Sequence, residues 1–190
     1  KKEKKETKVE TKKVEVEDDY HGHLVKDPFR WLEDTDSLDT QRWISDQNAL
    51  TDRYLSDIPD RDSIRERLEK LWNYERFGIP TKRGDSYFFS HNDGLQNQSI
   101  LYRSTTLDSK RMVLLDPNQL SDDGTVALAG YSATKDGRFL AYGIADGGSD
   151  WRTWKVRDVV TGKDLEDTVE GVKFSGISWK PDGSGFFYGR

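Results

Sequence analysis

The chain has 190 residues, a third of them apolar and a third charged, with acids and bases interleaved to a formal net charge of −5. That balance excludes the basic face that a nucleic-acid or anionic-membrane partner needs. The absence of cysteine excludes disulfides and thiolate metal centres, and no apolar run reaches membrane-spanning length.

The first nineteen residues, "KKEKKETKVETKKVEVEDD", hold seven lysines, seven acids and only three valines. Such a stretch cannot bury enough surface to offset its ordering entropy, so 1–19 is expected as a charged flexible tail. The alternation of Val14 and Val16 leaves room for a short edge strand near its end. The chain starts on Lys1, not methionine, which admits a leader removed before it.

From Tyr20 to Arg76 the periodicity is helical. "KDPFRWLED" puts Asp27 in a capping position and Pro28 at the first helical position, where a missing N–H costs nothing. A second helix is predicted from Asp36 or Ser37 to just before Pro59, burying Trp43, Ile44, Leu50 and Tyr54. A third starts near Asp62, where Ile64, Leu68, Leu71 and Trp72 make an amphipathic stripe.

Beyond "FGIP" the period becomes two. "DSYFFSHN", "QSILYRS" and "RMVLLD" read as strands; "TVALAGYSA", "RFLAYGI", "RTWKVRDVV" and "DLEDTV" follow, then "GVKFSGISW" and "GFFYGR", separated by Asp-Gly and Thr-Gly turns. "SATKDGRFLAYG" and "SWKPDGSGFFYG" superpose at Ser132/Ser178, Asp136/Asp182, Gly137/Gly183, Tyr142/Tyr188 and Gly143/Gly189. The spacing is 46 residues, and four short strands per repeat of roughly 40–50 residues is the pattern of a β-propeller blade. Blade one is expected at 77–117 and blade two at 126–168, with blade three cut after its second strand. An ordinary β-sandwich with recurring Asp-Gly turns is the plainer alternative. About two and a half blades cannot close a ring, so the chain is expected to be a fragment of a longer protein.

"YHGHLVKDPFRWLED" (Tyr20 to Asp34) resembles the opening motif of the prolyl oligopeptidase family of serine peptidases. The likeness continues in "GLQNQSILYR" (Gly94 to Arg103), "LDPNQLSDDGTVAL" (Leu115 to Leu128), "GGSDWRT" (Gly147 to Thr153) and "VKFSGISW" (Val172 to Trp179). It runs in register over all but the charged tail. The resemblance implies a mainly β chain with an N-terminal helical segment, 20–76, that packs on a hydrolase domain. It further implies that 77–190 starts a seven-bladed propeller, completed in the parent protein by further blades and a C-terminal α/β-hydrolase domain.

The chemistry-bearing residues point the same way. The family's triad serine sits in a Gly-x-Ser-x-Gly elbow, and no such pattern occurs here; Gly176-Ile177-Ser178-Trp179-Lys180 lacks the last glycine, and Ser178 reads as a strand residue. His21 and His23 would share one side of a strand near Asp18 and Asp19, but two ligands do not make a metal site. His91 stands beside a turn with no acid or nucleophile partner evident in the sequence. The carboxylate groups Glu33/Asp34/Asp36, Asp57/Asp60/Asp62 and Asp122/Asp123 fall at helix starts and turns, where they cap N–H groups. "GIADGGSD" has neither the Lys-Ser/Thr of a phosphate loop nor a helix after it. The six tryptophans are expected to be mostly packing residues.

The resemblance therefore implies an N-terminal part of a prolyl oligopeptidase that cleaves short, proline-containing peptides on the carboxyl side of proline. This chain would supply part of the substrate-gating propeller, with no catalytic group, no metal and no cofactor. Its partners would be the peptides and the missing hydrolase domain, and its location cytoplasmic, or periplasmic if a leader was removed. A non-catalytic TolB-like propeller serving as an interaction module is the alternative; "DPFRWLED" and its helices argue against it. Within "VKFS", Phe174 is implied to line the apolar subsite on the amino-terminal side of the substrate proline. Its bland reading is a blade-core aromatic alternating with Gly176.

Overall fold

A computed structural model describes residues 8–190, in two units that divide between Leu68 and Glu69. In the first, strands β1 (Glu17–Tyr20) and β2 (His23–Lys26) form an antiparallel hairpin. A single 3₁₀ turn, Arg30–Glu33, stands where a longer helix was expected. Phe29, not Asp27, takes the N-cap position, and no side chain caps the turn; Asp27 accepts instead from the Phe29 N–H at 3.2 Å, one step ahead of it. Arg30 ties the turn to the hairpin through Asp18 and Asp27. The hydrogen bond from Arg30 holds the Asp27 carboxyl below the ordinary range; burial opposes it, and the Phe29 N–H adds a lesser lowering effect.

The segment expected as a tail, 1–19, divides. Residues 1–7 lie outside the described residues. From Thr11 on the chain is fixed: the Trp43 indole donates to Thr11 Oγ1 at 3.0 Å and the Trp31 indole to the Lys12 carbonyl at 2.9 Å. The Val14 N–H donates to the Pro28 carbonyl and the Val16 carbonyl accepts from the Asp27 N–H, both at 3.0 Å, and Glu17 to Asp19 belong to β1.

Helix α1 (Leu38–Ser56) starts where the sequence predicts, with Ser37 as N-cap accepting from the Thr40 N–H. Trp43, Ile44 and Leu50 are half-buried, whereas Tyr54 is exposed, contrary to expectation. Helix α2 (Arg61–Trp72) carries the expected stripe, but Ile64, Leu68, Leu71 and Trp72 are all exposed.

The second unit is built of sheets. Strands β3 (Arg76–Phe77) and β4 (Thr81–Arg83) both pair with β5 (Ser86–Asn92) on one edge, so together they fill one strand position. Next come β6 (Ile100–Ser104) and β7 (Met112–Leu115), completing blade one. Blade two is β8 (Ala127–Ala133), β9 (Phe139–Ala145), β10 (Trp151–Asp158) and β11 (Asp164–Lys173), all antiparallel in sequence order. Strands β12 (Ile177–Trp179) and β13 (Phe186–Tyr188) start blade three. The outer strand of blade two runs further than expected, to Lys173 rather than about 168. "GVKFSGISW" is accordingly two strands of two blades, not one.

Blade two is packed on both faces. Towards blade one, Leu140, Tyr142 and Val159 meet Phe88, Leu101, Leu114 and Leu115. Towards blade three, Ala141, Trp154, Val156 and Val172 meet Ile177, Trp179 and Phe186. This alternation of faces along β9 is the period-two pattern resolved into two cores. Gly143 is required by the second core's indole: a Cβ there would stand 2.9 Å from Trp154.

The 46-residue repeat is visible in the turns. Asp136 accepts from the Arg138 N–H at 3.0 Å and the Thr134 hydroxyl at 2.6 Å; Asp182 accepts from the Ser184 N–H at 3.0 Å and its hydroxyl at 2.8 Å. These hydrogen bonds hold both carboxyls below the ordinary range. The Trp179 indole, in blade three, donates to the Ser132 carbonyl of blade two at 2.9 Å.

Candidate substrate-facing site

Strand β11 ends on Lys173, and the next residue is the one singled out by resemblance. Phe174 has φ 52, in the left-handed region, where a non-glycine residue is strained. The residue is 75% exposed. The bland expectation, a core aromatic, is therefore overturned: the left-handed residue breaks the apolar run and turns the ring away from both cores.

The loop around it is fastened. The Ser175 hydroxyl donates to the Gly176 carbonyl at 2.9 Å and accepts from the Gly189 N–H at 2.8 Å, and Arg152 donates to the Ser175 carbonyl at 3.4 Å. On the other side, the last pairs of the β10–β11 ladder set Trp151 opposite Lys173. Trp151 is itself 57% exposed, so it is not one of the packing tryptophans. The Lys173 ammonium lies 5.3 Å from the Trp151 ring centre and 5.0 Å from that of Phe174, and 3.6 Å from Asp150 Oδ2. Asp150 and Trp151 come from "GGSDWRT", and Lys173 and Phe174 from "VKFSGISW"; the structure brings these two motifs to one place.

The other two motifs of the blades form a structural clasp. Asn118 Oδ1 accepts from the Gln98 N–H and its amide donates to the Gln98 carbonyl, both at 2.9 Å. Gln98 in turn donates to the Gly124 carbonyl at 3.1 Å. Asp123 beside it accepts from the Thr125 N–H and hydroxyl, which, in that order, hold it below the ordinary carboxylate range.

The most buried ionic group is equally structural. Arg157 makes two hydrogen bonds to Asp164, at 2.7 and 3.0 Å, and reaches the Leu114 carbonyl of blade one. The Tyr142 hydroxyl donates to Asp164 at 2.8 Å. Burial, then the bond to Asp164, pushes the Tyr142 phenol up to about 12. Burial opposes ionisation of Asp164, but the hydrogen bonds from Arg157 and Tyr142 outweigh it and leave its carboxyl lowered.

The remaining candidates are placed as follows. Ser178 is exposed in β12, paired with Phe187, and among the described residues no helix follows it. His21 occupies the β1–β2 turn with φ 57 rather than a strand, and His23 starts β2. His91 does have an acid partner: its Nε2 lies 2.8 Å from Glu75 Oε1, with the ring stacked on Phe77 at 4.4 Å. Sixteen positions separate the two, a distance only the β3–β5 pairing closes. Among the described residues no three His, Asp or Glu side chains group as metal ligands, and no helix is long and apolar enough to cross a membrane.

The family model described as "Prolyl oligopeptidase, N-terminal beta-propeller domain" matches residues 8–190. The chain belongs to that family. It is 48% identical over 179 residues to the prolyl endopeptidase of Elizabethkingia meningoseptica, covering 94% of this chain and 25% of the relative. Among solved structures it is similar to one from a study of two prolyl endopeptidases and the role of inter-domain dynamics in catalysis and specificity. That match has a TM-score of 0.80 at 32% identity, over 95% of this chain and 27% of the other. It is also similar to prolyl oligopeptidase B of Galerina marginata bound to a 35mer hydrolysis and macrocyclization substrate, with TM-score 0.73, 30% identity, and 95% and 29% coverage. The chain thus spans about a quarter of the length of the curated relatives it matches. The match takes in the helical segment, so the reading as a TolB-like interaction module gives way to membership of the peptidase family.

Proposed function

We propose that the chain forms part of the substrate-gating propeller of a prolyl oligopeptidase, a serine endopeptidase cleaving short peptides on the carboxyl side of proline. The observation that carries this is Phe174. A strained backbone and an exposed ring each cost free energy, and neither serves a core, the combination expected of a residue held for a ligand. A flat apolar ring can pack on a peptide side chain without demanding hydrogen bonds.

In this reading the nucleophilic serine, its histidine and its aspartate belong to an α/β-hydrolase domain of the same protein. The serine attacks the scissile carbonyl, the histidine moves the proton, and the aspartate orients the histidine. The propeller acts sterically, admitting extended peptides and holding their amino-terminal side against Phe174. The exposed stripe of α2 fits a helical segment that packs on that hydrolase domain. A cytoplasmic location, or a periplasmic one after loss of a leader, belongs to the same reading.

The test is Phe174→Ala in the complete enzyme. The expected result is weaker binding of substrates extended to the amino-terminal side of proline, by about 1–2 kcal/mol, with the melting temperature nearly unchanged. Unchanged kinetics with a lowered melt would overturn the assignment.

A further inference from the structure

The arrangement around Phe174 holds a third participant that the substrate reading does not use. We propose that Lys173 is a positioning residue, whose ammonium fixes the rings of Phe174 and Trp151 as one recognition surface. This rests on the reading of Phe174 as substrate-facing.

The backbone of Phe174 is fastened, but its ring is not. Ser175 anchors the loop through Gly189 and Arg152, while the Phe174 side chain projects from a left-handed residue and is mostly exposed. Left to itself such a ring would sample several rotamers, and each lost on binding would weaken affinity.

Lys173 stands where it can prevent this. The β10–β11 pairing sets it opposite Trp151, and chain continuity sets it beside Phe174, so one ammonium reaches both rings at 5.3 and 5.0 Å. A cation over an aromatic face is attracted by the ring quadrupole. Asp150 pairs with the same ammonium at 3.6 Å. A substrate would then meet a ring already in place, with the charge that holds it balanced by a carboxylate and so offering no strong preference for acidic peptides.

Two measurements test this. In the 190-residue chain itself, the Lys173 ε-methylene protons lie beside two ring faces, so their NMR signals should be shifted upfield and move back in Phe174→Leu and in Trp151→Leu. Signals at the position of a free lysine overturn the proposal. In the full-length peptidase carrying this chain, Lys173→Met should raise KM for extended substrates by roughly 3–10-fold with kcat unchanged. Substrates too short to reach Phe174 should be unaffected, and Lys173→Arg should restore most of the loss, because a guanidinium also stacks on rings. If Phe174→Ala raises KM and Lys173→Met does not, the positioning role is wrong and the substrate reading stands. If Phe174→Ala has no effect while the lysine signals are shifted, the substrate reading fails and the positioning role falls with it. A loss in Lys173→Met that is equal for short and extended substrates and is not rescued by arginine marks a merely structural residue and also overturns it.

Discussion

Gly84 of blade one sits directly on Asp136 of blade two. Its N–H donates to the Lys135 carbonyl at 3.0 Å, and a Cβ at Gly84 would come within 2.1 Å of the Asp136 carbonyl oxygen. The opposing Gly137 is also close, 2.6 Å from a Cβ to the Arg83 carbonyl oxygen. Two turns from different blades therefore meet backbone to backbone, both in the left-handed region. Gly84→Ala should cost about 2–4 kcal/mol, combining overpacking with backbone strain. Gly162→Ala is the control, with φ 69 and nothing within 4 Å of the added Cβ, and should cost only about 1 kcal/mol. Urea melts of both variants check the difference; equal losses would show that the blades do not meet this closely.

Phe174 offers a second comparison. Glycine accepts the left-handed backbone without strain and alanine does not. Phe174→Gly should therefore be more stable than Phe174→Ala by about 1 kcal/mol, although both remove the ring. Thermal melts of the two variants decide this. A glycine variant no more stable than the alanine one would mean that Phe174 is not strained in solution.

The Tyr142–Asp164–Arg157 group predicts losses of stability at both ends of the pH scale. Tyr142 has its phenol raised from 10.0 to about 12 in the folded chain. Its contribution is complete below pH 10 and is lost as pH rises through 12, because the unfolded state releases its proton first. Asp164 is lowered from 3.8, so its contribution is present above about pH 4 and is lost as pH falls through its folded value. Tyr142→Phe should abolish the tyrosine part of the alkaline transition while lowering stability at neutral pH through the lost hydrogen bond to Asp164. Denaturation midpoints from pH 8 to 12 provide the measurement; an identical alkaline limb in the variant contradicts it.

Gly143→Ala should be destabilising by about 1–3 kcal/mol, since its methyl would press on the Trp154 indole at 2.9 Å. The loss should appear in near-ultraviolet circular dichroism of the tryptophan band as well as in the melt. A variant with unchanged tryptophan signals would mean that the second core has room to spare.

Much of this fold could be read from the sequence, for identifiable reasons. Ser37 with its helix after it, the period-two strands and the Asp-Gly turns at Asp136 and Asp182 are local signals, and each reappears where expected. The turn at Gly84 belongs to the same series but reads Arg-Gly-Asp, which hid the first member of the repeat. The split of "VKFSGISW" was hidden for a different reason: nothing in an apolar run marks the one phenylalanine that adopts a glycine's conformation. Phe174 itself was reached only through the family resemblance. Its neighbours show what sequence reading leaves out. Trp151 and Lys173 lie 22 positions apart, His91 and Glu75 sixteen, and both pairs exist only because particular strands are paired in a particular register.

The outer strand of blade two has a consequence for how the molecule meets copies of itself. Among the described residues β11 offers one unpaired edge, and its strand carries Glu166, Asp167 and Glu170 besides the Asp164 that Arg157 neutralises. A bare edge is a template on which a foreign strand can add itself, and like charge in close array is one way of refusing it. The three acids without such a partner thus act as a guard against edgewise growth into fibres. Replacing Glu166 and Glu170 by threonine would leave both cores as they are and remove two of its three charges, turning a rim that repels its own kind into one that could recruit it.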